Sequence, residues 1–159
     1  MAAAIKTVAI LVGNPALSSI LSMVLAASPN LRVRAFESLR ALTTYMQLAP
    51  VDLVVVDFDC KEAPAPEAAR TLYSDMDISP RFDVVALASE VSAEVKQASI
   101  GSGIDEIIVK PMSPRYLLER VLSRLHRKAA RPAPRPAESR PLPNNVVPLF
   151  PNGEHQPVY

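Results

Sequence analysis

The chain is poor in the residue types that usually announce a chemistry. Its single cysteine, Cys60, among 159 residues rules out an internal disulfide and fits a reducing compartment. Its two histidines, His126 and His155, have no companion ligands, so a metal site has no support. The four glycines form no G-x-G-x-x-G after a strand, and no G-x-x-x-x-G-K-[ST] occurs, which argues against dinucleotide or nucleoside-triphosphate binding. Net charge is only +1, leaving no global electrostatic reason to expect nucleic acid or an anionic membrane as partner. Long apolar runs are missing too: Val8 to Val12 stops at Gly13-Asn14-Pro15, too short for a secretory core or a bilayer span. A cytoplasmic location is the expectation.

What is present is an alternation of short apolar runs and amphipathic stretches. With 49% hydrophobic and 21% charged residues, the chain suits one globular domain plus an extension. Thr7 to Val12, Leu31 to Phe36, Asp52 to Asp57, Asp83 to Ala88 and Glu106 to Val109 read as five strands. Between them lie helical signals. Asn14 caps a helix opened by Pro15, with Leu17, Ile20, Leu21, Val24 and Leu25 on one face. Ser38 caps a second, with Leu39, Leu42 and Met46 inward, and a third starts near Pro66 with Ala69, Leu72, Tyr73 and Met76 inward. Val91 to Ile100 gives a fourth (α4), and Ser113 caps a fifth (α5) opened by Pro114, with Leu117, Leu118, Val121, Leu122 and Leu125 forming its stripe. Such alternation predicts an α/β fold with a parallel sheet covered on both faces. After Lys128 the composition shifts: eight of the 16 prolines lie beyond it, and the segment ends in one apolar patch, Val146-Val147-Pro148-Leu149-Phe150-Pro151. Residues 6–127 are therefore expected to form the domain, and 128–159 a proline-rich, disordered tail.

Asp57 closes the run Leu53-Val54-Val55-Val56, and Lys110 closes Ile107-Ile108-Val109 and is followed by Pro111. On these residues the chain resembles the receiver domains of two-component response regulators, the CheY-like family, over roughly Lys6 to Arg127. The resemblance implies a flavodoxin-like (βα)5 fold with sheet order 2-1-3-4-5 and a ligand site outside the C-terminal ends of the first and third strands. It implies a signalling module rather than an enzyme. Asp57 takes the place of the phosphoacceptor and Lys110 that of the phosphate-site lysine. The chemistry implied is in-line transfer from a histidine kinase, in which positioning and charge neutralisation supply nearly all the acceleration.

Other positions depart from the family. Val12 and Gly13 stand where an acidic pair would hold a divalent metal, Ala88 where a hydroxyl would stand, and Ile107 at the aromatic switch position. Ser89 falls one residue late, which would point it to the opposite face if the strand continued. A complete site has three carboxylates and one lysine, an excess that a divalent cation neutralises; here Asp57 and Lys110 already cancel, before counting Asp59. At about 4 Å their attraction is on the order of 4 kcal/mol at an effective dielectric near 20, before desolvation. A metal-independent salt bridge is the expectation, with Mg²⁺ binding weak or absent and no cofactor. Asp59 reads as a solvated loop carboxylate in preference to a substitute metal ligand, Cys60 as an inert thiol, and His126 as a favourable charge at a helix end.

The leading expectation is a degenerate, stand-alone receiver that works as a protein-interaction module in bacterial signalling. Its α4-β5-α5 surface, built by the fourth helix, the fifth strand and the fifth helix, would be fixed by sequence and is where a dimer would form. The alternative is a working phosphoacceptor that takes phosphate on Asp57 from a histidine kinase. A third reading makes the chain a scaffold acting through its tail.

Overall fold

In the computed structural model, which describes residues 4–61, 63–79, 81–129 and 146–148, the elements alternate strand and helix up to Ala129. They are β1 (Lys6–Leu11), α1 (Pro15–Ala26), β2 (Leu31–Phe36), α2 (Leu39–Leu48), β3 (Leu53–Asp57), α3 (Ala65–Ser74), β4 (Asp83–Ala88), α4 (Ala93–Ser99), β5 (Glu106–Val109), α5 (Pro114–Ala129) and β6 (Val146–Pro148). The sheet order is β2-β1-β3-β4-β5-β6, parallel throughout except for the antiparallel β5–β6 pair. The (βα)5 architecture and the 2-1-3-4-5 order are those expected. The sixth strand was not foreseen: it falls within the segment expected to be a disordered tail. Residues 130–145 and 149–159, which carry the rest of that expectation together with Arg131, Arg135, Arg140 and His155, lie outside the described residues.

Period-two alternation divides the strand side chains between two cores. Ala9, Leu11, Val54, Val56, Val84, Ala86 and Ile107 face α2 and α3, meeting Leu42, Met46, Ala69 and Leu72. Val8, Ile10, Leu53, Val55, Val85, Leu87 and Ile108 face α1 and α5, meeting Leu21, Leu25, Leu117, Val121 and Leu125. Every residue of β3 is buried, which is why that strand reads as an unbroken apolar run. β2, at the open edge, carries exposed Arg32 and Arg34, charges that discourage pairing with another chain.

Some expected core positions prove exposed. Ile20 and Leu122 lie on the flanks of α1 and α5 rather than on the faces turned to the sheet. Met76 is 98% exposed because α3 ends at Ser74, before it can complete the stripe. α4 starts at Ala93, two residues later than expected, because the Ser92 hydroxyl accepts the Val95 N–H and caps it there. Gly103 has φ +101°, and a Cβ at this position would run into the Tyr73 ring. That ring stacks on Phe82 and donates its hydroxyl hydrogen to the Phe82 carbonyl at 2.6 Å.

Candidate functional site

The C-terminal ends of β1, β3, β4 and β5 converge on Asp57. This residue is only 4% exposed, and its neighbours are fixed by the backbone before any side chain acts. The Phe58 N–H donates to the Leu87 carbonyl at 2.8 Å, and the Lys110 N–H to the Ala88 carbonyl at 2.7 Å, so β4 sets the spacing of the other two strand ends. The Lys110–Pro111 peptide is cis.

Lys110 Nζ lies 3.0 and 3.2 Å from the two carboxylate oxygens of Asp57 and 2.8 Å from Oδ2 of Asp59. The Asp59 N–H donates back to Oδ1 of Asp57 at 2.9 Å, a local carboxylate–amide bond that curls the loop over the strand end. Ser89 Oγ donates to Oδ2 of Asp59 at 2.5 Å. The ammonium is thus shared between a buried carboxylate and a half-exposed one, and the second is itself held by a hydroxyl.

The electrostatics follow from that sharing. The Lys110 ammonium and then the Ser89 hydroxyl hold the Asp59 carboxyl below its ordinary value of 3.8, against a smaller opposing effect of burial. For Lys110, burial favours the neutral amine, but the hydrogen bonds to Asp59 and Asp57 together outweigh it and raise the group above 10.5.

Two expectations are corrected here. Asp59 is an ion-pair partner of Lys110, not a free loop carboxylate. Ser89 does not turn away from the site: β4 ends at Ala88, so strand alternation no longer governs the next side chain. A carboxylate two residues beyond Asp57 and a hydroxyl directly after β4 were the available signals, and both lie in loops where spacing does not fix direction.

The remaining family positions do not join the cluster. Val12 is buried in the α1–α5 core, Ala88 is 1% exposed, and Ile107 is fully buried on the α2–α3 side. Gly13 does border the cleft outside Asp57, a space of about 690 Å³ also lined by Asn14, Glu37, Cys60 and Lys61. Cys60 is partly buried, and His126 is exposed in the last turns of α5. Among the described residues, no group of three or more His, Cys, Asp or Glu side chains could hold a metal ion. Asp57 and Asp59 already share a cation, Glu37 also lines the cleft, and Val12 and Gly13 directly follow β1.

No family model matches the sequence, and no curated protein matches it. Solved structures do match. A CheY-like receiver domain protein from Methanospirillum hungatei superposes with a TM-score of 0.71 at 18% identity, covering 80% of this chain and 98% of that one. A response regulator from Thermotoga maritima gives 0.66 at 22% identity, covering 77% and 98%. The chemotaxis protein CheY4 of Vibrio cholerae gives 0.67 at 22% identity, covering 77% and 99%. The fold is that of a response-regulator receiver domain. Within this fold, Asp57 ends β3, beside the β1–β3 switch point of the sheet, and Lys110 reaches it from the end of β5. Among the described residues, no helix is long and apolar enough to cross a membrane.

A second charged cluster was missed from the sequence. Glu106, 3% exposed at the start of β5, receives Arg120 through two hydrogen bonds, at 2.9 and 2.6 Å, and Arg124 at 3.0 Å. Arg124 also donates to Asp83 on β4 at 3.2 Å. Two cations and two carboxylates therefore bind α5 to the sheet. The signal was an acid opening an apolar strand, with arginines four apart on the following helix.

Proposed function

We propose that this chain is a degenerate receiver, a two-component signalling module that acts by binding other proteins and does not depend on Mg²⁺. The observation that carries the reading is the engagement of Lys110 by both Asp57 and Asp59 within 3.2 Å. To meet incoming phosphoryl oxygens, Lys110 would have to turn from both carboxylates. Here Asp59 competes for it, and the Asp57–Asp59–Lys110 set already carries one excess negative charge. Phosphorylation would replace the Asp57 carboxylate by an acyl phosphate dianion, taking the set from one to two excess negative charges with no metal to offset them. The dianion would face the Asp59 carboxylate at a cost of order 4 kcal/mol per unit pair at about 4 Å. Ala88 and Ile107, both buried, leave no hydroxyl or aromatic to relay a phosphate signal to the α4-β5-α5 face. That face is then fixed, and it is the proposed docking surface for a histidine kinase, another signalling protein or a second copy. The tail would be an accessory to it.

The second reading, a working phosphoacceptor at Asp57, draws support from Ser89 and Asp59. Together they place a hydroxyl and an extra carboxylate beside the acceptor.

Titrating Mg²⁺ at constant ionic strength, followed by amide chemical shifts, separates the two readings. The wild type is expected to show no saturable shifts at Gly13, Asp57 or Asp59 in the millimolar range. Gly13→Asp provides the positive control, since the nearest atom a Cβ there meets is Cys60 Sγ, at an ordinary 3.6 Å. Millimolar saturation in the wild type would support the phosphoacceptor.

A further inference from the structure

β2 ends the sheet on the side away from β5 and pairs, among the described residues, with β1 alone. The ladder with β1 decides which of its backbone groups stay open. Lys6 stands opposite Leu31, and the Lys6 N–H donates to the Asn30 carbonyl at 2.9 Å. A residue in a parallel ladder bonds to the two neighbours of its partner, so the backbone groups of Arg32, Arg34 and Phe36 point to β1. Those of Leu31, Val33 and Ala35 point outward. The same alternation turns Thr7 toward β3, where its carbonyl accepts the Asp52 N–H at 2.9 Å. The Leu31 N–H is taken by the Ser28 carbonyl at 3.2 Å. The Leu31 carbonyl and both backbone groups of Val33 and of Ala35 remain open.

Side chains of β2 alternate between the two faces of the sheet. Val33 packs on the α1–α5 side, so Leu31, Val33 and Ala35 share that face. Arg32 and Arg34 share the other with Phe36, which packs on the α2–α3 side. Both arginines are exposed, and among the described residues neither has an ion-pair partner. They stand roughly 7 Å apart along the strand. On the α1 face, a space of about 520 Å³ opens beside Ala35, lined by Pro15, Ser18 and Ser19 of α1 and by Glu37. Two copies of β2 paired antiparallel about Val33 would set Arg32 against Arg34, and like charges directly opposite one another disfavour that pairing. Carboxylates in the same places reverse the sign.

We propose that the outer edge of β2 binds an extended acidic segment of a partner protein. The segment adds as an antiparallel strand, with carboxylates at i and i+2 opposite Arg34 and Arg32. Its residue at i−1, opposite Ala35, is uncharged and enters the space between β2 and α1, where Glu37 disfavours a further carboxylate. Main-chain bonds to Val33 and Ala35 hold such a segment, and the arginines and the space beside Ala35 select it, the mode of β-strand addition. The site lies on the edge of the sheet opposite β5, so it is independent of the α4-β5-α5 face and of whether Asp57 accepts phosphate.

Amide hydrogen exchange on the full-length protein, read by NMR, tests this residue by residue. The probe is the terminally blocked synthetic peptide Thr-Val-Glu-Thr-Glu-Thr, with controls in which Gln or Lys replaces both Glu residues. Saturating Glu peptide is expected to slow the Val33 and Ala35 amides at least about ten-fold, while those of Arg32 and Arg34, already bonded to β1, stay unchanged. The Gln peptide should need at least about ten-fold more for the same effect, and the Lys peptide should give none. Arg32→Gln combined with Arg34→Gln, both exposed positions, should erase the preference for Glu over Gln. Equal half-saturation by the Glu and Gln peptides on the wild type would overturn the proposal, as would a Glu peptide that leaves Val33 and Ala35 unprotected. Protection of these two amides in the free protein that rises with its concentration would overturn it in favour of a second copy's strand.

Discussion

At the residue scale, the cluster around Lys110 has consequences for stability and for pH. Asp57 is buried and Lys110 is the cation that meets it, so Lys110→Ala is expected to cost about 3–5 kcal/mol, less to the extent that water reaches the carboxylate. Asp57→Asn combined with Lys110→Ala should recover part of that loss, and urea unfolding of the four-member cycle measures the coupling. A coupling below about 0.5 kcal/mol would show that the pair does not interact energetically. The pH dependence has two limbs. The Asp59 carboxyl is depressed in the folded state, so its contribution is present above 3.8 and fades as pH falls through the lower folded value. The Lys110 ammonium is raised, so its contribution is complete below 10.5 and fades as pH rises through the higher folded value. Between these limits the cluster's share of stability is expected to be flat, and Asp59→Asn should remove the cluster's acid limb. Thermal melts of wild type and variant across pH measure both limbs. Asp57 and Lys110 were legible in the sequence because each ends an apolar run, and a strand end is a defined place in a parallel sheet. The parts played by Asp59 and Ser89 were not, because a loop has no period from which direction can be read.

At the element scale, the strands were legible nearly to the residue, the inner ones because burial on both faces leaves little room for polar side chains and β2, with its exposed arginines, by its β-branched and aromatic content between helices. The helices were less so. A stripe of spaced apolar residues includes flank positions such as Ile20 and Leu122, and only packing against the sheet shows which of them reach the core. Neither β6 nor the Glu106–Arg120–Arg124 cluster was legible. The first is three residues within a proline-rich stretch, and the second depends on a contact between β5 and α5 that sequence spacing does not specify. That cluster is expected to matter more than any surface ion pair. Arg120→Ala leaves a nearly buried Glu106 with one of its three hydrogen bonds and should destabilise the domain by about 3 kcal/mol or more, whereas Glu119→Ala, which loses only an exposed pair with Arg115, should cost under about 1 kcal/mol. Denaturant midpoints at constant m-value would check both.

At the scale of the whole molecule, the receiver fold carries Val12, Gly13, Ala88 and Ile107 where the resemblance implies an acidic pair, a hydroxyl and an aromatic, and on the reading proposed above these departures separate phosphate chemistry from conformation. On that proposed reading, the lysine held by two carboxylates serves as a structural closure at the top of the sheet. The proposed degenerate domain would present one fixed surface between α4 and α5. Substitutions on that surface should therefore alter partner capture more than Asp57→Asn does, with folding intact in each. The most direct test is chemical. Full-length protein is incubated with Mg²⁺ and either a cognate histidine kinase carrying radiolabelled phosphate or phosphoramidate as a small phosphodonor, with Asp57→Asn in parallel, and the labelled or mass-shifted fraction is measured. A degenerate receiver stays unmodified, indistinguishable from Asp57→Asn. Rapid phosphorylation of most of the wild type, abolished in Asp57→Asn, would contradict it.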